Sequence, residues 1–297
     1  MTATAAHISS DSRLNHWIEL TKFRISAVST LTAATGYIAY SRSLNIALLS
    51  SVVGTLLMAM ASSAFNEVQE RKTDALMKRT RLRPIPAGLV TARTASIVAL
   101  VLAVAGCALL YATRGSVPAL LGLLAMLWYN GIYTPLKRMT AFAVVPGSVI
   151  GALPPAIGWA AAGGSIQNPA VLSLCFLFFV WQVPHFWLLA LRHQSDYANA
   201  GLPTLSRHFT SRQIFRLIFT WTAASVASSA LLMLFQTITG MVAALAVIAI
   251  GVWLLWRFAF MLRRVDNTAR IFKAFMDINR YALVIMAAVV FDALAGP

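Results

Sequence analysis

Charge is what this chain has least of. Only 11% of its 297 residues are charged, and acids are scarcer than bases, nine Asp plus Glu against 24 Lys plus Arg. A soluble domain carries roughly 25% charged residues, so this composition excludes an ordinary water-exposed surface. Cysteine is nearly missing too. Cys107 and Cys175 both stand in apolar sequence without metal-site spacing, which excludes a disulfide framework and leaves two buried structural thiols. The opening stretch MTATAAHISSDSRLNHWIELTK has no apolar run, so no cleaved signal peptide is expected. Despite a net charge of +15, no nucleic-acid-binding module is visible, and the bases lie in short loops, so nucleic acid is excluded as a partner.

What the chain has in plenty is apolar sequence, 59% of its residues. Charge-free stretches run over 25–41, 43–66, 94–113, 115–136, 139–191 and 217–256, and beyond Arg280 the last 17 residues hold only Asp292. A bilayer core takes about 20 helical residues, so the two longest stretches hold two spans each. They divide at the polar breaks Gly163 to Pro169 and Gln236 to Gly240. Runs without strict alternation favour helices over barrel strands. The reading is an all-α integral membrane protein, with a cytoplasmic segment over 1–23 and one polytopic domain over 24–297. Its nine spans lie near 24–41, 45–66, 93–112, 116–133, 141–163, 168–191, 214–235, 239–259 and 280–296.

With nine spans, alternate segments carry 22 of the 24 bases on the N-terminal side and two on the other. The positive-inside rule then puts the N-terminus and the loops after spans 2, 4, 6 and 8 in the cytoplasm, and the C-terminus outside. Topology explains the bases. It does not explain why eight of the nine acids share their side.

Three acids fall in the string Asn66-Glu67-Val68-Gln69-Glu70-Arg71-Lys72-Thr73-Asp74. If span 2 continues as helix, Asn66, Glu70 and Asp74 share one face, about 6 Å apart along the axis. Three oxygen-bearing side chains in a row suit a hard cation such as Mg2+, which completes its shell with water or phosphate oxygens. The bases that follow, Lys78, Arg79 and Arg83 among them, can take phosphate charge. The plain alternative is a solvated helix end whose charge pairs contribute a few tenths of a kcal/mol. Ionisable groups at an intramembrane cavity are costly, however, and are functional candidates for that reason.

A second string, Trp181-Gln182-Val183-Pro184-His185-Phe186-Trp187, closes span 6 and leads to His193, Asp196 and Tyr197. Pro184 is expected to kink the helix. Alone, His185 reads as a satisfied packing residue and Asp196 as an ordinary helix-end acid.

Taken together, these strings, with Leu20-Thr21-Lys22, Tyr133-Thr134-Pro135-Leu136-Lys137-Arg138 and Gly151-Ala152-Leu153-Pro154-Pro155-Ala156-Ile157-Gly158-Trp159, make the chain resemble the UbiA-type intramembrane prenyltransferases. The Leu-Pro-Pro-x-Ile-Gly-Trp and Trp-Gln-x-Pro-His-Phe strings point to the branch of protoheme IX farnesyltransferases, or heme O synthases. The resemblance implies nine helices around a cavity, with the loops after spans 2 and 6 meeting over its cytoplasmic mouth. The family's Asn-x3-Asp-x3-Asp motif falls on Asn66, Glu70 and Asp74, so its middle acid is Glu here. Thr204-Leu205-Ser206 stands where Met-Leu-Pro is commoner.

The resemblance further implies a reaction between farnesyl diphosphate and a vinyl group of heme B, in which heme is substrate and not a resident cofactor. Glu70, Asp74, Asn66 and Asp196 are then the expected metal and catalytic residues. Lys22, Lys78, Arg79, Arg83, Lys137, Arg138 and Tyr197 are the expected diphosphate partners. His185, His193 and Trp159 are the candidates for placing heme. A bacterial inner membrane and a heme A synthase as recipient of the product complete the expectation. Two rivals stand beside it. One is a UbiA-type enzyme acting on a quinone precursor or chlorophyll-like acceptor. The other is a transporter with a helix broken at Pro146, Pro154 and Pro155, against which the acids cluster at a helix end and not midspan.

Overall fold

The computed structural model describes residues 10–262 and 268–296, and those residues form helices without strands. In chain order they are α1 (Ser10–Leu20), α2 (Phe23–Ser41), α3 (Ile46–Asp74), α4 (Ala92–Arg114), α5 (Ser116–Leu136), α6 (Ala141–Ala161), α7 (Pro169–Arg192), α8 (Gln194–Asn199), α9 (Ser211–Leu234), α10 (Met241–Leu262) and α11 (Thr268–Ala295). Polar residues at the breaks start the helices. Asn45, Thr91, Asn168 and Thr210 each accept a bond from the first turn of the helix that follows. Asp292 caps α10 from a distance, accepting from the Thr239 and Gly240 amides at 2.9 and 2.6 Å.

Eight of the described helices, α3 to α7 and α9 to α11, are long and apolar enough to cross a bilayer. The sequence predicts nine, and α2 is the difference. It has 19 residues, but serines and threonines dilute its apolar character. Their hydroxyls are satisfied within the helix: Ser29 and Thr30 donate to the Ser26 carbonyl, Thr32 to Ser29 and Thr35 to Leu31, at 2.6–2.8 Å. Helix α2 packs against α3, α6 and α11 as the ninth member of the bundle.

The last span also differs from expectation. Predicted from residue 280, α11 begins at Thr268, so Arg270, Lys273, Asp277 and Arg280 ride its first turns. Buried Asp277 accepts from Arg280 Nη1 and, across to α10, from Arg257 Nε, both at 2.9 Å. Ion pairing lets these charged turns pack as helix, which a search for uncharged stretches passes over. Residues 1–9 of the predicted N-terminal segment and 263–267 of the predicted loop lie outside the described residues.

Helices α2 and α6 meet backbone to backbone. A Cβ on Gly36 would lie 2.1 Å from the Pro155 carbonyl oxygen, and one on Gly158 would lie 1.8 Å from that of Ala33, a small-residue contact of the kind that joins helices in lipid. Helix α7 continues as helix through Pro184. The largest buried cluster joins α7, α9, α10 and α11, while Leu100, Val104, Leu120, Leu127, Leu245 and Val252 turn outward as an apolar belt. Between α2, α3, α5, α6, α7 and α11 lies a cavity of about 780 Å³.

Candidate active site

The last turns of α3 build one edge of this cavity. Asn66, Glu70 and Asp74 share the predicted face, all three buried and all three in the wall. Asn66 is held from two sides: its Oδ1 accepts from Lys22 Nζ at 2.8 Å, and its Nδ2 donates to Thr134 Oγ1 of α5 at 3.0 Å. Helix α5 opens into a π turn over Trp128–Tyr133, an irregularity often found at functional sites. Gln69 and Asn130 clamp that turn to α3. Gln69 Nε2 donates to the Asn130 carbonyl at 3.0 Å, and Asn130 Nδ2 donates to Gln69 Oε1 at 3.1 Å. Tyr129 and Tyr133 of the π turn both stand in the wall.

Each carboxylate engages one base. Glu70 pairs with Lys137, and Asp74 Oδ2 pairs with Arg83 Nη1 at 2.7 Å. The other Asp74 oxygen, Oδ1, is buried without a partner. The loop carrying Arg83 folds back over the helix end, where Thr80 Oγ1 donates to the Asp74 carbonyl at 2.9 Å. Burial works against the charge of Arg83, but Asp74 outweighs it and holds the guanidinium above its ordinary pKa. Lys22 stands at the break between α1 and α2 with φ of 47°. Burial, reinforced by nearby Arg83 and opposed by Glu70, pushes its ammonium down to about 7. An arriving anion would therefore favour the protonated form.

The donor set fits a hard cation. Asn66, Glu70 and Asp74 offer only oxygen toward a metal, and Asp74 Oδ1 is a buried acceptor without a hydrogen-bond partner. Among the described residues no group of three Asp, Glu, His or Cys forms a closed cage, so the remaining positions would fall to water and phosphate oxygens, as Mg2+ prefers.

The loops after α3 and α7 both reach the wall, the first through Met77, Arg79 and Arg83, the second through Gln194, Tyr197 and Leu202 to Ser206. Burial pushes the Tyr197 phenol up, with Arg79 opposing. Five predicted residues stand outside the wall. Lys78 is exposed, and Arg138 turns its guanidinium to the Gln69 carbonyl at 2.7 Å. Asp196 sits in the first turn of α8 while its neighbour Tyr197 takes the wall position. His193 occupies the junction of α7 and α8, its pKa lowered by burial and by Arg79 and Arg192. Trp159 is buried at the far end of α6, where its Nε1 donates to the Ser165 carbonyl at 3.1 Å and its ring meets Tyr40. Its string places it at the end of the span, one helix length from the rim.

Below the rim the wall turns apolar, with Met58, Ala125, Ile157, Phe178, Leu283 and Met286. His185 joins this wall, as do Phe186, which stacks on Tyr133 with centroids 5.7 Å apart, and Trp187. Sequence reasoning missed Arg24, Tyr129, Gln182 and Asn279, all wall residues. Gln182 carried a signal, as an amide within an uncharged span. Asn279 carried none, because its contact with α7 is tertiary. An ionic rim opening on an apolar chamber can hold an anionic leaving group while a cation reacts away from bulk water.

Known proteins resemble this chain in sequence and in fold. The model of the UbiA prenyltransferase family matches residues 27–279. The protoheme IX farnesyltransferase of Oleidesulfovibrio alaskensis is 34% identical over 275 residues, covering 93% of this chain and 95% of that protein. Among solved structures, a digeranylgeranylglyceryl phosphate synthase superposes with a TM-score of 0.77 at 13% identity, covering 95% of this chain and 99% of the other. A UbiA homologue from Archaeoglobus fulgidus bound to GPP and Mg2+ superposes with a TM-score of 0.70 at 15% identity, covering 94% and 99%. With its apolar helices, acidic helix end and central cavity, this multi-pass membrane protein belongs to the UbiA prenyltransferase family.

Proposed function

We propose that the chain transfers the farnesyl group of farnesyl diphosphate to a vinyl group of heme B, with addition of water, to give heme O. One observation carries the reading: a single cavity joins the rim of Lys22, Arg79, Arg83, Lys137, Glu70 and Asp74 to an apolar chamber that includes His185. The relative named as a protoheme IX farnesyltransferase, aligned over 95% of its length, favours heme as the acceptor.

The chemistry asks for both parts. The allylic carbon–oxygen bond breaks and its electron pair leaves on the diphosphate. The allylic carbon bonds to the terminal vinyl carbon, leaving a cation beside the porphyrin. Water adds there and loses a proton, giving the hydroxyl. Lys22, Arg79, Arg83 and Lys137 meet charge that grows on the diphosphate as the bond breaks, which is stabilisation of the transition state beyond that of the substrate. A divalent cation held by Asn66, Glu70 and Asp74 supplies further positive charge to the diphosphate when bound, in keeping with the Mg2+ in the Archaeoglobus fulgidus homologue. The apolar wall limits which waters reach the cation. His185 serves to place heme. Asp196 serves as an outer partner of the metal and diphosphate, next to Tyr197.

The bilayer is taken to be a bacterial inner membrane, with the rim and N-terminus cytoplasmic, the C-terminus outside, and a heme A synthase receiving heme O. The test is purified chain with Mg2+, farnesyl diphosphate and heme B, read by chromatography of extracted hemes, with geranyl and geranylgeranyl diphosphates and an aromatic acid as rival substrates. Heme O from the farnesyl donor is the expected product. Prenylation of the aromatic acid with heme B unchanged would overturn the reading in favour of a quinone-type acceptor.

A further inference from the structure

His185 is held in a particular way. Its Nδ1 stands 2.9 Å from Asn279 Oδ1 on α11. The orientation of that amide is set independently, because Asn279 Nδ2 donates to the Phe275 carbonyl at 2.7 Å. An amide oxygen can only accept, so His185 Nδ1 must carry the proton, and the lone pair falls on Nε2. No described residue bonds Nε2, and both His185 and Asn279 line the cavity. The ring itself is packed by Trp181 at 4.7 Å, Phe275 at 4.9 Å and Phe186 at 5.6 Å. Trp181 is tied in turn to α11 through Nε1 and the Ile278 carbonyl at 2.9 Å.

We infer that Asn279 is a positioning residue, fixing His185 in its Nδ1–H form so that Nε2 ligates the iron of the porphyrin acceptor. The inference rests on the proposed function, since it takes heme as substrate. Histidines that bind metals donate their other ring nitrogen to a fixed acceptor, and that partner sets both tautomer and ring orientation. Here α7 supplies the ligand and α11 supplies Asn279 and Phe275 one turn apart. The acceptor is a neutral amide and not a carboxylate, so it orients the ring without giving imidazolate character. That degree of ligation suits a heme that must leave as product. Iron ligation at this point would also set the distance of the porphyrin from the rim where the diphosphate sits.

The experiment is heme B titration of the purified full chain, followed by the Soret and visible bands, for wild type, His185→Ala, Asn279→Leu and Asn279→Asp. Farnesyl diphosphate affinity is measured alongside as a fold control. Wild type is expected to give a histidine-ligated spectrum that His185→Ala loses. Asn279→Leu should weaken heme binding by about tenfold or more and shift the spectrum toward that of His185→Ala. Asn279→Asp, which keeps the acceptor, should keep the ligated spectrum. Retention of the wild-type spectrum and affinity by Asn279→Leu, or equal loss by Leu and Asp variants that still bind farnesyl diphosphate, overturns the inference and leaves the function standing. Failure of wild type to bind heme at all instead overturns the proposed function.

Discussion

Arg83 Nη1 reaches one oxygen of Asp74 at 2.7 Å while the other, Asp74 Oδ1, lies buried without a partner. One carboxylate thus orders the basic loop and keeps an oxygen in reserve. Asp74→Asn removes the charge from both duties, and turnover should fall about 100-fold or more, the scale of losing one preorganised electrostatic contact at a reacting centre. Steady-state rates on purified enzyme, with heme O quantified, check this. Wild-type turnover would remove Asp74 from the metal and diphosphate machinery.

The metal requirement follows from the same donor set. Chelation with EDTA should abolish prenyl transfer, and added Mg2+ should restore it. Glu70→Gln keeps the size of the side chain but loses a charged contact, of about 1.5 kcal/mol. The Mg2+ concentration for half-maximal rate should rise roughly tenfold, as read from rate against free Mg2+.

Two adjacent bases separate site from topology. Lys137 reaches Glu70 and stands in the cavity wall, whereas Arg138 is exposed and turns to a backbone carbonyl. Lys137→Met should raise KM for farnesyl diphosphate about tenfold, from one lost charge-assisted bond to phosphate. Arg138→Met should leave it within about twofold, as for other exposed charges. Equal effects on KM would count against the assignment of Lys137 to the diphosphate.

Much of this site was legible in the sequence because one helix carries it. Asn66, Glu70 and Asp74 recur every four residues, so their shared face needed no tertiary information. The bases were legible as a group but not individually. Helical phase after Asp74 is lost in the loop, so Arg83, which lands on Asp74, looked no different from Lys78, which points to solvent. Trp159 belongs to a distinctive string, yet distance along α6 carries it from the rim. Helices α3 to α7 lie over gaps between charges. At the start of α11 those gaps are missing, because Asp277 pairs with Arg280 of its own helix and with Arg257 of α10, and the pairing across helices leaves no mark in the composition of either.

Glycine provides a test of packing separate from catalysis. The Cβ of Gly158→Ala would lie 1.8 Å from the Ala33 carbonyl oxygen, which is backbone of α2 and cannot rotate away. Helices α2 and α6 must then part, at an expected cost of about 1–3 kcal/mol from overpacking. Because α2 and α6 both wall the cavity, activity should fall with stability. Gly131 is the control, with no heavy atom within 4 Å of an added Cβ and no positive φ. Gly131→Ala should be neutral or stabilise by about 0.4–1 kcal/mol through the entropy of the unfolded chain. Thermal unfolding of both variants in the same detergent decides the matter: a lower Tm for Gly158→Ala beside an unchanged or higher one for Gly131→Ala is expected. Equal Tm values would mean that the α2–α6 contact is not the close backbone approach that the geometry requires.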